Sequence, residues 1–582
     1  MSSFSQALYS EIVAKGMRSD QSSHNDNNLS SKLVEGENGA LAHKSAALSN
    51  DDLNGLLTEV FLLMRGESSD IVTEKLSNVY QQIKSNKEYM VKLLKLCLYL
   101  REPRKGKGER LVFYNIVQWM WVNDNKVAKY MINNLSNFGS YIDFCNLYKL
   151  STSAELKYYL VEVYGNQLVK DKDNEKPSLA GKWAPREQSK FSDFAKEITK
   201  RFFNKDKKVY RQLIVSLNKR LTVPEVNMCA KDWSSIEFKN VASKAMTTYT
   251  KAFQDVKTSP FPKEKRHKFK SGRRHDELHQ DYEDRDKCRQ NLVNHIASGS
   301  KINATVTDLA SIIERYLRHE TEDPIWEAQW NYRINEIKEL LKQSNYKPKI
   351  FPMIDLSGSM NGSPMINAIT LGFFTSILID NELNESEAEY ANMFLTFNSK
   401  PEIGKLERGA SLHNKIKSLT DNGWMSKWGG NTNIQSAFQM ILDIATKHNV
   451  SKENMPQVLA IFSDMQFDQG DRSWSETSYE MMNRMFTEKG YDLPHIIFWN
   501  LRANTSGYQV TADKPNTTML SGYSTRMMDL FLTSSIEDQK NALGTQSTET
   551  PLKNASTVSL MEKVFEHPMF EQYNDEINQL FD

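Results

Sequence analysis

Hydrophobic positions in the first half of the chain recur at three- and four-residue spacing. Leu53, Leu56, Leu57, Val60, Phe61 and Met64 mark one face of a helix. Similar blocks follow at 90–100, 111–122, 154–163, 191–203 and 306–317, with strand-like alternation almost absent. The pattern predicts a helical array over 51–345, although no fixed repeat period emerges. After Tyr346 the pattern changes. Short apolar runs at 350–354, 391–397, 457–462 and 495–499 alternate with helical stretches, which predicts a mostly parallel sheet covered by helices on both faces. Residues 1–50, rich in Ser, Asn, Asp and His from about residue 17, are expected to be disordered. The α/β domain is expected to span 346–534. A polar stretch at 533–557 reads as a loop, and an amphipathic helix over about 558–581 is expected to pack back on one of the two domains within a last segment of 535–582.

Composition narrows the class. A chain of 582 residues is too long for one core and predicts roughly two to four domains. Lys+Arg 74 against Asp+Glu 73 gives a net charge of +1, so no global field drives the chain onto nucleic acid or a membrane. No apolar stretch reaches the roughly 18–20 residues of a membrane span, and the first residues lack a signal-peptide profile. Cys97, Cys145, Cys229 and Cys288 are scattered without a CxxC pair, as expected of reduced thiols inside a cell. The expected location is the cytoplasm, or the virion for a viral protein.

The densest chemistry lies where the run at 350–354 ends in Asp355-Leu356-Ser357-Gly358-Ser359. A strand's carboxyl end is where open α/β sheets place ligands. One carboxylate and two hydroxyls at alternate positions suit a small hard cation that keeps some of its water, as magnesium does. Two further segments fall in order: Trp428-Gly429-Gly430-Asn431-Thr432-Asn433 ahead of a helix pattern, then a second buried run ending in Ser463-Asp464. The alternative is a helix cap and turn set that binds no metal. Phosphatase and aspartic-protease readings of Asp355 fail, because Leu356-Ser357 breaks both patterns. Gly106-Lys107-Gly108 lacks the spacing of a phosphate-binding loop.

These three segments resemble the von Willebrand factor A domain and its metal-ion-dependent adhesion site. The resemblance implies Asp355, Ser357, Ser359, Thr432 and Asp464 as ligands, directly or through water, for Mg2+, with Mn2+ or Ca2+ as substitutes. It also implies an open coordination position that takes a carboxylate from a protein partner. The family's last strand ends Ser/Thr-Asp-Gly, whereas Met465 follows Asp464 here, a departure expected to alter the loop.

Two basic segments lie in the helical half. Arg101, Arg104, Lys105, Lys107 and Arg110 crowd a glycine-bearing interhelical loop, which reads equally as a phosphate grip or as a solvated turn paired with acids. Lys263, Lys265, Arg266, Lys268, Lys270, Arg273 and Arg274 surround Phe269, a pattern suited to single-stranded nucleic acid through charge and stacking. Acids at 276–286 follow and offset part of that charge. A helical module ahead of a von Willebrand A domain resembles the Ro/TROVE ribonucleoproteins, whose HEAT-like helical part binds small and misfolded RNAs. The stretch 101–110, Leu179-Ala180-Gly181-Lys182-Trp183-Ala184-Pro185, Tyr210-Arg211 with Val223-Pro224-Glu225, and 354–360 are similar to an uncharacterised family of plants and giant DNA viruses. Trp183 and Pro185 are expected to be structural, with the indole packed on a helix, and Trp326 and Trp330 to be core. Trp424 and Trp428 either border the Thr432 loop or seal the sheet edge.

The expected fold class is therefore α plus α/β. The expected function is non-enzymatic binding through a magnesium-dependent site, with a helical scaffold as the RNA-binding candidate and no membrane role. A protein-only scaffold for virion or complex assembly is the alternative reading, and a hydrolase using Asp355 a third.

Overall fold

The computed structural model describes residues 32–49, 51–254, 282–300, 302, 306–318, 320–344, 349–378, 391–398, 400–424, 428–468, 476–503, 507–544 and 554–582. They divide into two compact units. One comprises 1–131, 310–321 and 334–582; the other comprises 132–309 and 322–333. The class is α plus α/β, with helices toward the N-terminus and a mostly parallel sheet toward the C-terminus.

The second unit is helical and its core is aromatic. Tyr164 meets Phe144, Tyr141 and Phe194 edge-on, with centroids 5.4–5.9 Å apart. Its buried hydroxyl donates to the Ala180 carbonyl at 2.8 Å, and that of Tyr210 donates to the Pro185 carbonyl at 2.8 Å. The 179–185 motif thus supplies backbone acceptors to two buried tyrosines. Trp183, expected to pack its indole on a helix, is 36% exposed. Trp326 and Trp330 are core, as expected.

In the first unit, six strands form one sheet: β3 (Ile350–Asp355), β4 (Met393–Phe397), β5 (Glu402–Lys405), β6 (Val458–Ser463), β7 (His495–Asn500) and β8 (Thr517–Ser521). Their spatial order is β5-β4-β3-β6-β7-β8, parallel throughout except for β5 on β4. Every residue of β3 and β6 is buried, which accounts for their unbroken apolar runs. Pro352 is tolerated inside a central strand because β4 pairs only from Met353 onward. Helix Ser363–Leu378 lies close on β3 at Gly372, where a Cβ would come within 2.4 Å of Ile354 Cδ1. The chain leaves β3 toward β4 on one side and later crosses to β6 on the other. The switch point therefore falls between the carboxyl ends of β3 and β6.

Four expectations are corrected in this unit. Residues 33–43 are ordered, as a hairpin of β1 (Leu33–Glu35) and β2 (Leu41–His43), because Leu41 and Ala42 are buried and His43 exchanges two 2.7 Å backbone bonds with Tyr508. Residues 1–31 lie outside the described set. Strands β5 and β8 were not foreseen: β5 is a half-exposed edge, and β8 buries Thr517 and Thr518 among few large apolar groups. Helix Arg526–Gly544 continues into the stretch read as loop. The final helix is broken, Thr557–Phe565 being followed by Pro568 and then Asn574–Gln579, since proline cannot donate to the preceding turn. It packs against β8 and helices Leu53–Phe61 and Lys87–Arg101, where Met519 N–H donates to Thr557 Oγ1 at 2.9 Å and Lys92 pairs with Glu562 at 3.3 Å.

Candidate metal centre

Asp355 ends β3 and Asp464 follows β6, so neighbouring parallel strands deliver both carboxylates to the switch point. Both are 0% exposed. Asp355 Oδ1 accepts from the Ser357 amide at 2.8 Å, and Oδ2 accepts from Ser463 Oγ at 2.5 Å. Asp464 Oδ1 accepts from the Gln466 amide at 3.1 Å, Oδ2 accepts from Arg502 at 3.4 Å, and the Ser359 hydroxyl also bonds this carboxylate. Ser357 Oγ and Ser359 Oγ are 3.2 Å apart.

The Thr432 loop is stitched to this turn through its backbone. Gly429 N–H donates to the Leu356 carbonyl at 2.7 Å, and Gly358 N–H donates to the Gly430 carbonyl at 3.1 Å. Gly429 and Gly430 have φ of +102° and +85°, a conformation that glycine adopts without steric penalty. Thr432 is 1% exposed, and its carbonyl accepts from the Asp468 amide at 3.0 Å. Asn433 then caps helix Ile434–Lys447, whose positive end faces back toward this loop. The backbone thus gathers the three segments that the sequence singled out.

Burial, and then the neighbouring Asp464, raise the Asp355 pKa; burial raises that of Asp464, against Ser359, the Gln466 amide and Arg502. Two desolvated carboxyl groups in one place disfavour double ionisation, and a small dication would relieve both penalties at once. The donor chemistry therefore fits such an ion. Among the described residues no group of three or more His, Cys, Asp and Glu converges, so the remaining donors would be hydroxyls or water.

Met465 adopts φ +63°, so this side chain keeps a left-handed backbone after Asp464. Trp424 is core, packed on Phe373 and Phe394, and Trp428 meets it edge-on at 5.6 Å beside the Gly429 turn. Ser463, Arg502, Gln466, Glu37 and Asn38 are further polar neighbours that sequence reasoning missed. The Ser463-Asp464 pair and the Gly36–Gly39 bracket were the available signals.

The basic residues are placed differently. Positions 263–274, with Lys263, Lys265, Arg266, Lys268, Lys270, Arg273 and Arg274, lie outside the described residues. In the 101–110 loop, Arg101 and Lys107 are 1% and 2% exposed, which corrects their reading as phosphate contacts. Lys107 Nζ donates to the carbonyls of Phe61 and Leu63 and to Ser521 Oγ, at 2.6–2.9 Å. Burial lowers its pKa to about 7 against Glu109 and Glu67, yet three acceptors match the three N–H bonds of an ammonium. Glu102 receives the amides of Arg104, Lys105 and Gly106, and Arg65 pairs with buried Glu109 at 3.2 Å. Arg104, Lys105 and Arg110 remain at the surface.

Residues 350–567 match a domain of unknown function, DUF7788, and residues 163–263 match a second, DUF2828. The chain is 26% identical to an uncharacterised protein of Acanthamoeba polyphaga mimivirus over 466 residues, 75% of this chain and 76% of that protein. No solved structure matches. No helix among the described residues is long and apolar enough to cross a membrane.

Proposed function

We propose that the C-terminal sheet is a von Willebrand factor A-type domain that binds Mg2+ and, through it, a carboxylate of a protein partner. The observation that carries this reading is the pair of buried carboxylates, Asp355 and Asp464, at the switch point, with Ser357, Ser359 and Thr432 on loops stitched to them. Bound there, the ion supplies positive charge for an incoming acid. Asp355 would anchor it, oriented by Ser357 and Ser463; Asp464 would balance its charge; the hydroxyls would hold it or its water. Both acids stay ionised in that role, and Ser463, the hydroxyl that donates to Asp355, is fully buried, so binding is favoured over hydrolysis.

Partner capture separates a recognising ion from a merely structural one. Full-length protein should retain partners from cell lysate in millimolar magnesium, release them to a chelator, and retain fewer as Thr432→Ala. Identical partners in all three conditions would overturn the recognition reading.

A further inference from the structure

The β1–β2 hairpin carries a turn, Gly36-Glu37-Asn38-Gly39, that reaches the loops of the candidate site. Glu37 N–H donates to Gln466 Oε1 at 2.7 Å, and Asn38 Nδ2 donates to the Gln466 carbonyl at 2.7 Å and to Thr432 Oγ1 at 3.4 Å. Glu37 Oε2 lies 3.1 Å from Arg502 Nη1, the atom that also reaches Asp464 Oδ2 at 3.4 Å. One guanidinium therefore bridges a candidate cation ligand and a carboxylate from a distant part of the chain. The turn is fitted to this position: a Cβ on Gly36 would approach Gln466 Oε1 to 3.1 Å, and Gly39 has φ +90°.

The attachment is uneven. Leu41 and Ala42 are buried, and His43 is paired through its backbone to Tyr508, so the base of the hairpin is fixed. Glu37 and Asn38 are exposed at the tip, beside a backbone bridge from Gly39 to Asp468, and among the described residues β1 pairs with β2 alone, over three residues. An exposed ion pair on such a tip is worth about 1 kcal/mol or less and exchanges readily with another carboxylate.

We propose that Arg502 is a carboxylate-recognition residue of the binding site, and that Glu37 holds the place of an acidic side chain of a protein partner until that partner exchanges with it. The proposal rests on the cation-dependent reading above. A partner presenting neighbouring acidic residues would put one carboxylate on the ion and another on Arg502, displacing the hairpin tip. Asn38 would leave Thr432 in the same movement, which ties exposure of the hydroxyl to arrival of the ligand.

The test uses the full-length chain and a fluorescently labelled hexaglutamate peptide in millimolar magnesium, with hydrogen exchange read over 33–43. Removing an internal competitor raises apparent affinity by the inverse of the open fraction, so an ion pair of that strength means that Glu37→Gln should bind the peptide up to about fivefold more tightly than wild type. Arg502→Gln should bind it more weakly than wild type, and peptide should speed exchange at the hairpin tip in the wild type. Equal affinity of wild type and Glu37→Gln overturns the proposal, as does binding without a change in hairpin exchange, or no binding to any variant. Magnesium uptake, measured separately by dialysis, distinguishes the two layers. If magnesium binds and Glu37→Gln changes nothing, only the exchange mechanism falls. If magnesium does not bind, the cation reading falls, and this proposal falls with it unless the peptide still discriminates the Glu37 and Arg502 variants.

Discussion

Asp355 is a fully buried carboxylate held by the Ser357 amide and the hydroxyls of Ser357 and Ser463, with a second buried carboxylate beside it. Its folded-state pKa is raised, and so is that of Asp464. A raised carboxyl means that the folded chain holds protons which the unfolded chain releases. The stability these groups contribute is complete below their unfolded values, near about 4, and is lost as pH rises through the raised folded values. Magnesium competes for the same oxygens, so its stabilising effect should grow from about pH 5 to about pH 8 and approach about 2.7 kcal/mol at a hundredfold excess over its dissociation constant. Thermal unfolding with and without magnesium at both pH values checks this; a shift independent of pH would contradict it. Asp355→Asn should stabilise the metal-free protein at neutral pH by roughly 1–2 kcal/mol, because a neutral amide needs no counter-charge, while abolishing the response to magnesium. Met465 holds a left-handed backbone at a cost of about 1–2 kcal/mol, so Met465→Gly should keep the magnesium response even though a buried side chain is lost. Denaturation with magnesium present would read both effects.

At the scale of elements, the loop between helices Lys87–Arg101 and Arg110–Asn123 is a joint. Lys107 joins the end of helix Leu53–Phe61, which leaves carbonyls without intrahelical donors, to the end of β8. Lys107→Met should preserve volume but leave Phe61 O, Leu63 O and Ser521 without that donor, lowering stability in urea unfolding by about 2–4 kcal/mol. An unchanged midpoint would show that the ammonium is dispensable. The same loop marks a limit of sequence reading: a Lys inside a Gly-Lys-Gly turn looks solvent-facing until the carbonyls that surround it, 44–46 residues away, are known. Strands β3, β4, β6 and β7 were legible because both of their faces are buried, which leaves unbroken apolar runs. β5 and the β1–β2 hairpin were not legible, because edge strands of three or four residues owe their order to pairing partners elsewhere in the chain. Asp355, Ser357, Ser359, Thr432 and Asp464 stand out in the sequence as an ordered set on three segments; Glu37, Asn38 and Arg502 adjoin those segments only through the fold.

For the molecule as a whole, the boundary at residue 346 follows a change of pattern but does not isolate a folding unit. Helices within 53–123 belong to the same compact unit as the sheet. Ser521 Oγ donates to Leu62 O at 2.6 Å, and Ser524 Oγ donates to Gly106 O at 2.9 Å, so the sheet's end depends on partners before residue 110. A fragment of residues 346–582 alone should therefore unfold with less cooperativity and at lower temperature than the full chain; matching calorimetric traces would contradict this. Equilibrium dialysis of the full-length protein against Mg2+ should show one bound ion per chain, lost in Asp355→Asn. Absence of bound magnesium in the wild type, or equal amounts in the variant, would contradict the account.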